Sequence, residues 1–178
     1  PNTTHYYRVR AKNFSGEYGA YNAERATHTL CNIPAGFSVS NVYASSVTLN
    51  WQDNGNSAGT SYGIAYTPDS AFSAGVSTIG AGINLATYTV TGLGDGVTYY
   101  FHVWAFNYDN IATEITVAVS TKTIDITPPA RVTFASAADA ESDTGGKIAV
   151  NWTYAEPADV SGYRVYYAYN LFTDISEA

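Results

Sequence analysis

The sequence contains no methionine, one cysteine and few charged residues. Because a single cysteine has no partner in the chain, an internal disulfide framework is excluded. Charged residues make up 13% of the chain, about half the usual share. No stretch approaches the roughly 18 apolar residues of a membrane-spanning helix. The eight Lys and Arg are spread along a chain of net charge −7, so we expect no nucleic-acid partner and no membrane insertion.

The residues that are abundant favour strands. Apolar residues make up 46% and aromatic residues 15% of the chain, and 16 residues are Tyr, a type enriched in strands. Alternation with period two runs through VTLNW (47–51), SYGIAY (61–66) and VTYYFHVWA (97–105). Turn-rich stretches separate these segments. The pattern predicts an all-β chain of β-sandwiches, and the low charge indicates an extracellular or cell-surface location.

Parts of the sequence repeat. TYYFHVWAFN (98–107) and THYYRVRAKN (4–13) share Thr, Tyr, Val, Ala and Asn at an offset of 94. Two further matches, at an offset of 101, pair residues 147–152 with 46–51 and residues 161–167 with 60–66. Self-similarity with a period near 95 residues indicates tandem domains.

The spacing of the aromatic and aliphatic residues resembles the fibronectin type III family, a seven-strand immunoglobulin-like sandwich. The family has a Trp at the end of its second strand, a Tyr-x-aliphatic-x-Tyr pattern on the third, and a Leu before a longer pattern on the sixth. The matching residues are Trp51, Tyr62, Ile64, Tyr66, Leu93, Tyr99, Phe101, Val103 and Ala105. The linker DITPPA (125–130) also resembles junctions in bacterial extracellular arrays.

The resemblance and the repeats together divide the chain into three parts. We expect residues 1–29 to be the C-terminal strands of a first fibronectin type III domain, 30–124 a complete domain, and 125–178 the N-terminal strands of a third. Pro34 and the pair Pro128–Pro129 mark two domain starts, because proline stiffens a linker.

We expect a core in each of the last two parts. Inward parity and the family pattern assign to it Trp51, Tyr62, Ile64, Leu93, Tyr99, Phe101, Val103, Trp152, Tyr163 and Val165. The resemblance also implies that the hydroxyl of Tyr99 bonds to nearby backbone, as in the family's tyrosine corner. His5 stands at the corresponding place of the first part.

Three residues alternate with this core set and are expected to point outward: Tyr100, His102 and Trp104. In the family their strand neighbours the third strand, where the outward residues here are Gly63 and Ala65. The strip is a candidate surface for binding sugar or protein. The alternative is that the rings cover the glycine-containing strand or pack on a neighbouring domain.

An acidic loop is the candidate metal site. Asp139, Glu141 and Asp143 alternate before two glycines, and calcium binds six to eight oxygens, of which these could supply three. The alternative is a solvated acidic loop. His28 and Cys31 are too few for a zinc site, which needs about four ligands. No other cofactor is expected.

The patterns predict a non-catalytic structural and interaction module, part of a tandem array that serves spacing, assembly or adhesion. No nucleophile–base arrangement has supporting context, so we expect no enzyme activity. The alternative is an accessory, carbohydrate-binding region of a secreted polysaccharide-acting enzyme.

The expected partners are other domains of the same array, copies of this chain, and glycans or surface proteins. We expect either that the polypeptide continues at both ends, or that the tail of one copy pairs with the head of the next to form a filament.

Overall fold

A computed structural model describes residues 1–142, 144–153 and 160–170. In this part the chain is all-β, and it contains no helix that is long and apolar enough to cross a membrane. The chain forms two compact units, Pro1–Ile126 and Thr127–Ala178. The strands of the first unit are β1 (Thr4–Tyr7), β2 (Arg25–His28), β3 (Ala35–Val42), β4 (Ser46–Gln52), β5 (Ser61–Thr67), β6 (Ser77–Ile83), β7 (Thr87–Thr91), β8 (Thr98–Phe106) and β9 (Val119–Lys122).

The central sandwich of the first unit has two antiparallel sheets. One has the order β3-β4-β7 and the other β6-β5-β8-β9. Successive side chains of a strand point to opposite faces, so the alternating apolar residues of β4, β5 and β8 all reach the space between the sheets. There they form one cluster that includes Val47, Leu49, Trp51, Tyr62, Ile64, Leu93, Phe101, Val103 and Ala105.

Tyr99 lies half-buried at the margin of this core. Its ring centroid is 6.4 Å from those of Tyr66 and Phe101. Its hydroxyl accepts a hydrogen bond from the backbone N–H of Gly94 at 3.0 Å. The expected bond between this hydroxyl and nearby backbone is therefore present, and it ties the start of β8 to the preceding turn.

The N-terminal hairpin, residues 1–31, repeats the β8–β9 hairpin in detail. Thr4 pairs with His28, as Thr98 pairs with Lys122, so the register is the same after a shift of 94. The hydrogen bonds beyond the strands repeat as well. The pairs at that offset are Thr29 N to Thr3 O with Thr123 N to Val97 O, and Asn22 N to Val9 O with Thr116 N to Val103 O.

This hairpin belongs to the same compact unit as the central sandwich. The predicted domain boundary at residues 29–30 lies inside this unit and stays a prediction. Polar contacts, described below, connect the hairpin to two loops of the sandwich. The other boundary, at 126–127, lies close to the predicted one at 124–125.

The second unit contains β10 (Thr133–Asp139) and β11 (Ile148–Thr153), which pair antiparallel. Trp152 on β11 meets Tyr163 edge-to-face, with centroids 5.4 Å apart and an interplanar angle of 61°. Trp51 and Tyr62 have the same distance and angle in the first unit. The sequence repeat at an offset of 101 thus reproduces a specific ring contact.

Two expectations for the second unit are corrected. The described residues 160–170 form no strand, although 161–167 match β5 in sequence. Tyr163 and Val165, predicted in the core, are 39% and 57% exposed, while Trp152 is half-buried. The described part of this unit contains one two-stranded sheet, whereas a buried face needs a second layer packed on it.

Candidate interaction surfaces

Tyr100, His102 and Trp104 lie on the face of β8 opposite the core. Their antiparallel partners on β5 are Thr67 for Tyr100, Ala65 for His102 and Gly63 for Trp104. All three side chains of the strip are half-buried. Because Gly63 and Ala65 are small, the large rings of β8 can pack flat against the sheet.

The contact between Trp104 and Gly63 is close. A Cβ atom built on Gly63 would lie 2.5 Å from Cε2 of the Trp104 indole, a distance that no real packing tolerates. The ring of Phe106 meets the same indole edge-to-face at 6.1 Å. Trp104 therefore covers the glycine of the neighbouring strand, and this packing accounts for the ring without a ligand.

His102 is held by a backbone group and a second ring. Its Nδ1 lies 2.6 Å from the carbonyl oxygen of Thr116. Because a carbonyl oxygen can only accept, Nδ1 carries a hydrogen and donates the hydrogen bond. Phe72, from the loop between β5 and β6, lies over the imidazole at 4.2 Å. Phe72 has a φ of 53°, which is rare for a bulky residue.

The loop that carries Phe72 is ordered by Asp69. This carboxylate accepts hydrogen bonds from the backbone N–H groups of Ala71, Ser73 and Ala74 and from the Ser73 hydroxyl. These bonds, the Ser73 hydroxyl first, lower the pKa of Asp69 to about 2. Sequence reasoning missed Phe72 as part of the aromatic strip, because its place depends on this loop conformation; an Asp followed by Ser and Ala is only a general turn signal.

Two of the three acidic residues of the candidate calcium loop lie within the described part of the second unit. Asp139 is the last residue of β10, opposite Ile148, and Glu141 is exposed in the following turn. Asp143 lies outside the described residues. Across those that are described, no group of three or more His, Cys, Asp or Glu could hold a metal ion. Calcium binding stays a prediction.

A network of polar contacts lies where the hairpin meets the sandwich. We call this region the joint: the hairpin residues Asn2, Thr27 and His28 and the following residues Asn32 and Ile33, against the loops 53–60 and 107–110. Asn2 is its most buried member, with 1% of its surface exposed. The Asn2 Nδ2 donates to Thr60 Oγ1 at 3.0 Å, and its Oδ1 accepts from the Tyr108 N–H at 2.8 Å.

His28 binds the Asp109 carboxylate in the joint. Its Nδ1 lies 2.8 Å from Asp109 Oδ1, and its backbone N–H donates to Asp109 Oδ2 at 3.0 Å. The His28 ring meets Tyr108 edge-to-face at 5.3 Å. Hydrogen bonds from the side chain and then the backbone of His28 hold the pKa of the Asp109 carboxyl below its usual value.

Three asparagines complete the joint. Asn32 and Asn56 bond reciprocally: the Asn32 N–H donates to Asn56 Oδ1 at 2.7 Å, and Asn56 Nδ2 donates to the Asn32 carbonyl at 2.9 Å. Asn32 Nδ2 donates to the Asn54 carbonyl at 2.8 Å, and Asn54 Nδ2 donates to the Ile33 carbonyl at 2.9 Å. Each of the three side chains thus forms hydrogen bonds with backbone groups of the other segment.

Cys31 lies beside the joint and is buried. Burial raises the pKa of its thiol, so the sulfur stays protonated at neutral pH, whereas a metal ligand or nucleophile is a thiolate. Its neighbour His28 is engaged by Asp109. Cys31 and His28 therefore have structural contacts in the first unit, and neither is placed as a metal ligand or nucleophile.

The joint was not foreseen from the sequence. The sequence analysis considers His28 only together with Cys31, as a pair too small for a zinc site. The available signal was the concentration of asparagines at residues 32, 54 and 56, close to a predicted domain start. Asparagine amides both donate and accept, so such a group suits a contact with backbone.

Residues 32–120 match the sequence model of the Fibronectin type III domain family. The match covers half of the 178 residues, and the chain belongs to this family, as its immunoglobulin-like sandwich indicates. A similar curated protein is a Kelch domain-containing protein of Saccharolobus solfataricus, 48% identical over 62 residues. These residues are 35% of this chain and 8% of that protein, so the match spans less than a tenth of the relative.

Similar solved structures include two that carry the family's name or its domain numbering. The fibronectin type-III domain of human fibronectin type III domain containing protein 3 is 20% identical, with 55% of this chain and 89% of that chain covered and a TM-score of 0.47. The FN1–FN3 domains of chicken CNTN1 are 18% identical, with 70% and 44% covered and a TM-score of 0.46.

Proposed function

We propose that this chain is a non-catalytic spacer and assembly segment of a tandem fibronectin type III array in an extracellular or cell-surface protein. Its work is to hold consecutive modules at a fixed distance and orientation. Its partners are neighbouring modules of the array or other copies of the chain. Fibronectin type III domains are generally non-catalytic, which supports the first part of this proposal.

The joint is the observation that carries the proposal. Modules in one chain move relative to each other by default, unless the interface between them restrains the motion. Here a hairpin with the register of β8–β9 is bound through Asn2 and His28, and Asn32, the residue just after Cys31 at the hairpin's end, forms a third contact. Because the three contacts are spread over two loops of the sandwich, they restrain rotation as well as separation.

The aromatic strip on β8 fits the same function. Trp104 packs on Gly63, and His102 is bonded to the Thr116 carbonyl. Rings that are held against their own sheet stiffen the module, which a spacer needs. This packing favours a structural role over a flat platform for a sugar ring.

Residual dipolar couplings of the ¹⁵N-labelled chain test the proposal. We expect the amides of residues 3–29 and of β4, β5 and β8 to fit one alignment tensor, because the joint makes them one rigid body. Asn2→Ala should give the hairpin its own, weaker alignment, while Asn41→Ala, at an exposed asparagine of β3, should change nothing. Independent alignment of the hairpin in the unaltered chain would refute the spacer function.

A further inference from the structure

Asn54 and Gly55 are the one Asn–Gly pair of the sequence, and they lie in the joint. Both are exposed, with φ values of 53° and 75°. Glycine has no side chain, so nothing of its own shields its backbone nitrogen from the carboxamide of the preceding asparagine. This pair therefore carries a chemical reactivity that the other asparagines of the joint do not share, because each of them is followed by a residue with a side chain.

The reaction is an intramolecular substitution followed by hydrolysis. The Gly55 nitrogen loses its proton and attacks Cγ of Asn54; an N–C bond forms, the Cγ–Nδ2 bond breaks, and Nδ2 leaves as ammonia. Water then opens the resulting five-membered imide at either carbonyl. The product at position 54 is an aspartate or an isoaspartate, so the balance is one water gained and one ammonia lost, with solvent water as the only co-reactant.

The closed joint opposes the first step through both reacting groups. Asn54 Nδ2, the leaving nitrogen, donates to the Ile33 carbonyl at 2.9 Å. The Gly55 N–H, the attacking nitrogen, donates to Asp53 Oδ1 at 3.1 Å. Asn32 Nδ2 fixes the Asn54 carbonyl from the other side. The two reacting atoms come together only after these bonds break, which requires local opening.

The product cannot restore the contact between residue 54 and Ile33. A carboxylate at position 54 has no N–H for the Ile33 carbonyl, and it places a negative charge next to that oxygen and beside Asp53. Ile33 is exposed, so water can replace the lost donor, and the repulsion between the new carboxylate and the carbonyl oxygen is what separates the two groups. An isoaspartate also lengthens the backbone by one methylene, which displaces the carbonyl that Asn32 now binds.

We propose that Asn54 is a covalent modification site whose deamidation through Gly55 is restrained by the closed joint and, once complete, keeps the joint loose. The modification converts a rigid connection of the array into a flexible one, in one direction and without an enzyme. The inference rests on the proposed function, because a joint that is never rigid has nothing to lose.

The first test follows the reaction in the full 178-residue chain, incubated in mildly alkaline buffer. Peptide mapping by mass spectrometry reads deamidation at Asn54, with Asn32 and Asn56 as internal controls. We expect deamidation at Asn54 to be about tenfold or more faster in the guanidinium-unfolded chain than in the native one, since opening limits it. Asn2→Ala, which weakens the joint away from the reacting pair, should give an intermediate rate; if this variant does not fold, sub-denaturing guanidinium replaces it. Equal rates in the native and unfolded chains overturn the inference.

The second test measures the consequence. In Asn54→Asp, hydrogen exchange of the hairpin amides of His28 and Thr29 should accelerate several-fold, while that of Val103 in the core stays unchanged. Asn41→Asp adds the same charge on β3 and serves as the matched control. Unchanged hairpin exchange in Asn54→Asp overturns the inference and leaves the spacer function standing. A hairpin that aligns independently in the unaltered chain defeats the spacer function instead, so the two failures are distinguishable.

Discussion

The imidazole of His28 and the carboxylate of Asp109 meet at 2.8 Å across 81 residues of sequence. The same carboxylate also accepts the backbone N–H of His28 and the hydroxyl of Thr27. One acidic side chain thus receives three donors from the last strand of the hairpin. The Asp109 carboxylate therefore fixes both the position of β2 and the orientation of the His28 ring.

Acid should release the hairpin. The folded pKa of Asp109 is lowered, so its contribution is present above the ordinary aspartate pKa of about 3.9 and is lost as pH falls through the lowered value. We expect the His28 and Thr27 amides to lose protection against exchange in that acid range, before the core does. Asp109→Asn should remove this acid step and leave the hairpin less protected at neutral pH; a step that survives in the variant would contradict the assignment.

Gly63→Ala should destabilise the sandwich by roughly 1–3 kcal/mol, the usual cost of overpacking. The new methyl group would lie 2.5 Å from the Trp104 indole. Gly80→Ala is the matched control, because a Cβ there meets nothing within 4 Å. Urea unfolding gives both values. In the double variant with Trp104→Ala, the Gly63→Ala penalty should shrink; equal penalties with and without the indole would rule out this contact.

The core of the central sandwich follows from the sequence, because a two-residue period decides which side chains of β4, β5 and β8 face inward. Val47, Leu49 and Trp51 share one parity in the sequence and one cluster in the structure. The offsets of the sequence repeats also predict structural details. The shift of 94 reproduces the register of a hairpin, since the same residues make the same ladder.

What could not be predicted depends on contacts between segments that have no common period. The joint brings Asn2 to Tyr108 across 106 residues, and no local pattern records that pairing. Tyr163 is a case in which the local pattern is present and burial is not. It matches Tyr62 in sequence, and its ring contact with Trp152 reproduces that of Tyr62 with Trp51. Its burial, however, depends on a covering layer of structure and not on the sequence match.

Tyr99→Phe should cost about 1 kcal/mol, the typical net value of one hydrogen bond. The substitution keeps the ring contacts with Tyr66 and Phe101 and removes the acceptor of the Gly94 N–H. Tyr43→Phe, at an exposed tyrosine, is the control and should be neutral. An unchanged urea midpoint in Tyr99→Phe would show that water satisfies the Gly94 N–H equally well.

Trp51→Ala should destabilise the first unit by roughly 3–5 kcal/mol, as truncation of a large buried side chain does. Its indole is buried between the rings of Phe37 and Tyr62, and neither sheet can close the cavity without moving its partner. Trp152→Ala removes the same residue type with the same Tyr contact, but from a half-buried position, so the loss should be clearly smaller. Denaturant unfolding of the full chain, followed at amides of β4 and of β11 separately, measures both. Equal losses at the two tryptophans would mean that the second unit buries Trp152 as fully as the first buries Trp51.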